Sequence, residues 1–220
     1  MKRDKKRSDG EATREKLILA AMELLSQEGL AAVTTSRLSR AAGIVQSGFY
    51  AHFEGVEECV VLAAERIGEK ILRPVEEGLA ALREHGPDDP ELIRAQYRWV
   101  FGVLESEWRF VELVLRYHRE PTPLGDALSA LIGKLRQEIV DHLLIIGERG
   151  GLDRRYLPQI GFCADLIIAL QLSSLEAYVK DASLDKEMIV EVLTQETLAL
   201  IARVVEWSLG KQAEKMSTRV

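Results

Sequence analysis

Cysteine is scarce in this chain: Cys59 and Cys163 stand far apart in 220 residues, in no Cys-x-x-Cys or Cys/His grouping. That spacing excludes a disulfide framework and a structural zinc. The helical, apolar surroundings of both thiols predict small buried hydrophobes. Long apolar runs are also missing. The longest clearly apolar uncharged run, Leu166 to Leu175, spans ten residues, against about 20 needed to cross a bilayer. The N-terminus is charged and carries no signal-peptide pattern, so a cytoplasmic chain with no membrane partner is expected. There is no alternating strand pattern and no internal repeat, which leaves an all-α chain. Catalytic patterns are absent as well: no Gly-x-Ser-x-Gly, no phosphate-cradling glycine loop, no His/Glu set at metal spacing. His52, His85, His118 and His142 are scattered. The expectation is a protein that is not an enzyme and carries no cofactor or metal.

What is present divides unevenly. Apolar residues make up 47% and charged residues 29% of a chain of net charge −6, enough for a core under a soluble surface. Residues 1–53 hold nine Lys and Arg against six Asp and Glu, a net of +3; the remainder holds 20 against 29, a net of −9. A basic N-terminal part on an acidic remainder fits a nucleic-acid module joined to a part that does not touch nucleic acid.

Within the basic part, Thr34 is placed to cap a short helix through its hydroxyl. Leu38, Ala41 and Ala42 give that helix one apolar face, and Gly43 stops it where a left-handed residue is cheapest. Ile44 plugs the turn. Gln46 to His52 reads as a second short helix, with Phe49 and Phe53 four apart on one face. Two short helices joined by a glycine turn make a helix-turn-helix candidate. A preceding helix, about Ala12 to Glu28, would bury Leu17, Ala21, Leu24 and Leu25 against the pair.

These residues resemble the N-terminal domain of the TetR (tetracycline repressor-like) family. The resemblance runs from Ala12-Thr-Arg-Glu-Lys-Leu-Ile-Leu-Ala-Ala-Met-Glu-Leu-Leu-Ser-Gln-Glu-Gly29 through Thr34, Leu38, Ala42-Gly43-Ile44 and Tyr50-Ala-His-Phe53, about a quarter of the chain. It implies a three-helix DNA-binding domain, a larger helical domain for ligand binding and dimerisation, and a homodimer on a double-stranded, near-palindromic operator. The DNA-binding residues it implies are Thr34, Thr35, Val45, Gln46, Ser47, Gly48, Tyr50 and His52. Gln46, Ser47 and Gly48 would lie nearest base edges, and Thr34, Tyr50 and His52 would hold phosphates. Three positions depart from the family pattern. Val45 replaces a capping hydroxyl, and Gly55-Val56 replaces a polar cap and a phosphate-touching lysine, which should weaken binding and shallow its salt dependence.

The resulting division is a basic disordered arm at 1–11, the DNA-binding domain at 12–55, a helical regulatory and dimerisation domain at 56–210, and a flexible tail at 211–220. The arm is placed to reach phosphates or a minor groove, or is a solvated tail without a role. Pro74 is expected to break a helix begun at Val56, and a long helix from Glu91 to His118 is expected to break near Ser106. Leu128, Leu131, Ile132, Leu135, Ile139, His142 and Leu143 form the stripe of another helix. The last two helices, about 158–179 and 185–209, are apolar over wide faces and call for burial on two sides. Pairing with a two-fold mate through Leu166, Leu170, Ile189, Leu193, Leu200, Val204 and Trp207 would supply it. Tyr97, Trp99, Trp108, Tyr117 and Asp165 are the candidate walls and polar anchor of a pocket for a small, mainly apolar effector. The leading expectation is a repressor released by that effector. A DNA-binding regulator without a ligand, and a helical protein-interaction adaptor, stand as alternatives.

Overall fold

The computed structural model describes the backbone of residues 2–149, 151–181 and 183–217, and the side chains of 10–149, 151–153, 155–181 and 183–208. Its helices are α1 (Lys2–Glu28), α2 (Thr35–Ala42), α3 (Gln46–Phe49), α4 (Val56–His85), α5 (Pro90–Ser106), α6 (Trp108–Tyr117), α7 (Pro123–Arg149), α8 (Leu157–Lys180) and α9 (Lys186–Ser217). Two short 3-10 turns, Leu30–Ala32 and Arg154–Tyr156, complete the list, and no strand occurs among the described residues. The chain is all-α, an N-terminal helix-turn-helix followed by a larger helical part.

Several boundaries differ from the sequence expectation. The stretch 1–11, read as a disordered arm, is helical from Lys2 onward; its five Lys and Arg and its Glu11 are good helix formers beside the weaker Asp4, Ser8, Asp9 and Gly10. Met1 lies outside the described residues. The tail at 211–220 is likewise helical to Ser217, and 218–220 lie outside the described residues. Pro74 sits inside a continuous α4. The ring removes one helical hydrogen bond, but apolar residues bury on both sides of it, Ala63, Ala64 and Ile67 before and Val75, Leu79 and Leu82 after. The break expected near Ser106 is present, at Glu107 between α5 and α6.

The chain divides into two compact units: Met1–Lys70 with Glu107–Ile132, and Ile71–Ser106 with Gly133–Val220. The boundary expected between 55 and 56 therefore moves into α4. In the first unit α1 packs on α2 and α6. Leu17, Ile18, Ala21 and Leu25 of α1 are buried together with Leu38, Phe49, Phe53, Cys59, Ile67 and Phe110. Each large side chain removed from water there contributes roughly 1.5–3 kcal/mol. Leu24, expected in that core, is only half-buried. An ion pair joins Arg66 to Glu15, and another joins Lys70 to the buried Glu107.

In the second unit α9 packs on α5 and α8, and α8 also on α5. Val190, Leu193, Ile201 and Val204 of α9 meet Ile160, Ala164, Ile167 and Leu175 of α8 in its core. Three exposed or half-exposed ion pairs edge α5 and α9: Arg94–Glu191 at 2.8 Å, Arg98–Glu187 at 2.7 Å and Lys186–Glu105 at 2.6 Å. Pairs of this kind contribute at most about 1 kcal/mol each. By length and composition α8 is apolar enough to cross a membrane, with a mean hydropathy of 1.5 over its most apolar window, of which 39% is buried within this chain. The ten-residue run read from the sequence understates it, because Asp165 and Glu176 bound the run without making the helix polar.

Both cysteines are free and buried. Burial pushes the Cys59 thiol up to about 12, and burial raises Cys163 too. The thiolate is the reactive form. Ellman's reagent should therefore find no reactive thiol in the native protein at mildly alkaline pH, and both thiols once the chain is unfolded in urea. Rapid reaction of native protein would contradict this packing.

Candidate nucleic-acid interface and cavity of the second unit

The turn between α2 and α3 is built from local chemistry. Thr34 is extended, and its Oγ1 accepts a hydrogen bond from the Arg37 N–H at 3.4 Å, satisfying one of the first free donors of α2. Gly43 adopts φ 73°, and the Ile44 N–H donates back to the Ser39 carbonyl at 3.0 Å. This left-handed close favours glycine, which has no Cβ to strain there. Arg37 pairs with Glu28, bracing α2 against the end of α1, and holds that carboxyl below the usual carboxylate range.

Helix α3 is shorter than the seven residues read from the sequence. It spans only Gln46–Phe49, and turns carry the chain on through His52. Val45 precedes it without a side-chain cap, which leaves the free N–H groups of its first turn to solvent or an outside partner. Phe49 is the one buried residue of α3, its ring stacked on Phe53 and edge-on to Tyr50, both at 5.5 Å between centroids. Arg14 of α1 lies over the Phe53 ring at 4.7 Å. One face is thus fixed inward, and the residues between face out. Val45 is 72% and Tyr50 60% exposed; Thr34, Gln46 and Ser47 are exposed, while Thr35, Gly48 and His52 are half-buried. A Cβ added at Gly48 would make only ordinary contact with its own chain, the nearest atom being Ile44 Cδ1 at 3.6 Å.

Where α4 begins, Gly55 offers no side-chain cap. Glu58 reaches back instead, accepting from the Glu54 N–H at 2.9 Å, half of a capping box. Glu54, Glu57 and Glu58 make this edge acidic.

In the second unit a cavity of about 60 Å³ is lined by α4 (Val75, Leu79, Leu82), α5 (Ile93, Gln96, Tyr97, Val100), α7 (Ile139, His142, Leu143), α8 (Ile167, Gln171) and α9 (Thr197, Ile201). Of the five residues expected to line a pocket, only Tyr97 does so. Its hydroxyl is bonded to that of Thr197, and burial pushes its pKa up to about 12. Trp99 and Asp165 lie at the surface, Asp165 in an ion pair with Arg136 at 2.6 Å. Trp108 and Tyr117 belong to the first unit. The aromatic cluster read from the sequence straddles the break at Glu107, so the two units divide it. Gln171, which with Asp165 interrupts the apolar pattern of α8, does line the cavity, whereas His142, read only as part of the α7 stripe, and the polar Gln96 and Thr197 were not anticipated there.

The expected interface residues also divide. Ile189, Leu193 and Val204 are buried in the core of their own unit and have no surface left to offer. Trp207 is half-buried and stacks on Tyr156 at 5.7 Å between centroids. Leu166, Leu170 and Leu200 remain half-exposed. The outward face of the same helices is Phe162 (60% exposed), Ala169 and Ser173 on α8, with Met188, Val192, Ala199 and Ala202 on α9.

A capped short helix, a left-handed glycine turn and a second helix anchored by one buried aromatic, with polar and aromatic side chains facing out, define a helix-turn-helix DNA-binding protein. Residues 17–62 match the family model described as bacterial regulatory proteins, tetR family. The N-terminal part of this chain is thus similar to the DNA-binding part of that family of transcriptional regulators. Solved structures agree on the fold. A tetR-family transcriptional regulator from Streptomyces coelicolor is 15% identical, with 91% of this chain and 89% of that chain covered at a TM-score of 0.68. A TetR-family regulator from Mesorhizobium loti is 14% identical, with 90% and 96% covered at 0.68. Thermus thermophilus FadR, a TetR-family transcriptional repressor in complex with lauroyl-CoA, is 19% identical, with 86% and 93% covered at 0.61. No curated protein sequence matches this chain.

Proposed function

We propose that the chain acts as a homodimeric repressor, held on a near-palindromic operator until a small, mainly apolar effector releases it. The outward face from Val45 to Tyr50 carries the reading. It is pinned from behind by Phe49 and offers an amide, a hydroxyl and a phenol to a major groove. Support for the dimer is the apolar and small-residue face of α8 and α9, exposed in the single chain; association would bury it. Support for the effector is the lined cavity, three of whose wall residues lie on α4, the helix that begins next to the recognition turn. By linkage, effector and operator would weaken each other equally. A regulator with no small-molecule effector is the second reading. It is favoured by the cavity volume of about 60 Å³, well under the 300 Å³ or more of ordinary ligand pockets.

A mobility-shift titration against the DNA upstream of its own gene, at two salt concentrations, tests the first part. Specific retardation with steep salt dependence is expected; no preference for any sequence selected from random DNA would defeat the reading. Residue roles separate by substitution. Gln46→Ala should relax base preference, Tyr50→Phe should weaken all sites roughly tenfold alike, and Gly48→Ala should lose binding without losing stability. Alanine fits the fold at Gly48 and gains roughly 0.5–1 kcal/mol of helix preference, so a loss there would report close approach of DNA.

A further inference from the structure

The cavity of the second unit has a chemical signature of its own. Five of its lining residues are polar: Gln96, Tyr97, His142, Gln171 and Thr197. Three of them are occupied within the chain. The Gln96 amide donates to the Pro74 carbonyl at 3.2 Å, and the Tyr97 and Thr197 hydroxyls bond each other. His142 is only half-satisfied. It is 4% exposed, one ring nitrogen, Nε2, sits 3.0 Å from the Pro87 carbonyl, and Nδ1 has no partner. Gln171 makes no hydrogen bond among the described residues and is half-buried.

The Pro87 carbonyl can only accept, so Nε2 must carry the proton. In a neutral ring Nδ1 is then a bare lone pair, an acceptor waiting for a donor. Burial pulls His142 below the ordinary histidine value, and Arg83 and Arg149 nearby pull the same way, outweighing the Pro87 bond; the ring is neutral near pH 7. An unpaired buried acceptor costs about 1–3 kcal/mol, a cost that a ligand donor would remove. No Lys, Arg, Asp or Glu lines the cavity, so a charged group entering it would be desolvated without compensation. The space of about 60 Å³ holds roughly two waters at about 30 Å³ each. Displacing the unbonded Gln171 carboxamide is the obvious way to enlarge it.

We infer that this cavity takes a compact, neutral, mainly apolar molecule bearing one hydroxyl, an alcohol or a phenol, whose O–H donates to Nδ1 of His142. Gln171 moves aside to admit it, and the aliphatic side chains from α4, α7 and α9 enclose its apolar part. The inference rests on the effector-responsive reading above and narrows the effector to neutral hydroxyl compounds.

Phenol and toluene test it, being nearly equal in size and differing in the donor. Each is titrated calorimetrically into the full chain without DNA, alongside lauroyl-CoA. Phenol should bind about tenfold tighter than toluene, the worth of one hydrogen bond, and lauroyl-CoA should not compete with it. Long-range proton–nitrogen correlation spectra of isotope-labelled protein should show an unprotonated Nδ1 at His142 that moves on adding phenol and stays put with toluene. His142→Phe should equalise the two probes. Should that variant fail to fold, the wild-type spectra decide alone. Equal affinities, a stationary Nδ1 resonance, a proton on Nδ1, or uptake of neither probe would each overturn the assignment. Because DNA is left out, a chain that retards its operator yet takes up neither probe loses the cavity assignment alone.

Discussion

Replacing Phe49 by alanine should cost roughly 3–5 kcal/mol of stability, the range for truncating a fully buried aromatic, and abolish specific DNA binding. The second effect follows from the length of α3. Four residues form a single turn, far short of the dozen or so at which a helix begins to hold itself in water. Only tertiary contacts keep this one in place. Phe49 is its sole buried side chain and joins the stack that runs through Phe53 to the Arg14 guanidinium. Without the ring, Gln46, Ser47 and Tyr50 lose the platform that presents them. Urea unfolding of the full chain measures the first effect and mobility shift the second. A Phe49→Ala chain that bound operator with unchanged affinity would show that another contact orients α3.

Gly125→Ala should be the most damaging glycine substitution among those without a left-handed backbone. Its Cβ would stand 2.0 Å from the Glu120 carbonyl oxygen and 2.9 Å from that of Tyr117, both main-chain atoms of the turn that leads into α7. A main-chain oxygen cannot swing away, so the turn itself must move. The cost is roughly 1–3 kcal/mol or more. Gly78→Ala is the instructive contrast. There the new Cβ would overlap the Gln96 side-chain oxygen, 1.5 Å away, but that carboxamide is the free end of a flexible side chain. It can rotate off at the loss of one hydrogen bond to Pro74, about 0.5–1.5 kcal/mol, against a helix-interior gain of roughly 0.5–1 kcal/mol. Thermal melts of both variants should separate them clearly. Equal destabilisation would mean that the Glu120 turn yields more readily than its backbone contacts imply.

The helix-turn-helix was legible because its signals are local. A capping threonine, a stop glycine and two phenylalanines four apart act within a turn or two of themselves, and Thr34, Gly43, Phe49 and Phe53 do in the structure what their spacing says. The length of α3 was not legible, since Tyr50 and His52 keep the spacing of a helix while the backbone loosens into turns. The cavity lay further out of reach. Its walls come from positions as distant as Val75 and Ile201, and no periodicity within one helix reports on a partner five helices away. Helix α9 shows the same limit in another form. Two adjacent apolar stripes can be told from polar faces, but not from each other. Val190 and Ile201 of one stripe and Ile189, Leu193 and Val204 of the other are all buried within the chain. The surface left for a partner is a third side, marked by Met188 and Val192.

The unit that holds the recognition turn is not one stretch of sequence. It closes only with Glu107–Ile132, whose α6 packs on α1 and buries Phe110. Synthesis by the ribosome therefore delivers the helix-turn-helix early but completes α6 only at Tyr117, 47 residues after Lys70, a delay of roughly 2–9 s at about 5–20 residues per second. During that interval the nascent chain has α1 without the α6 that packs on it. A premature stop after α4 would leave a fragment that carries the whole helix-turn-helix but lacks α6, and proteases should cut it faster than the full chain.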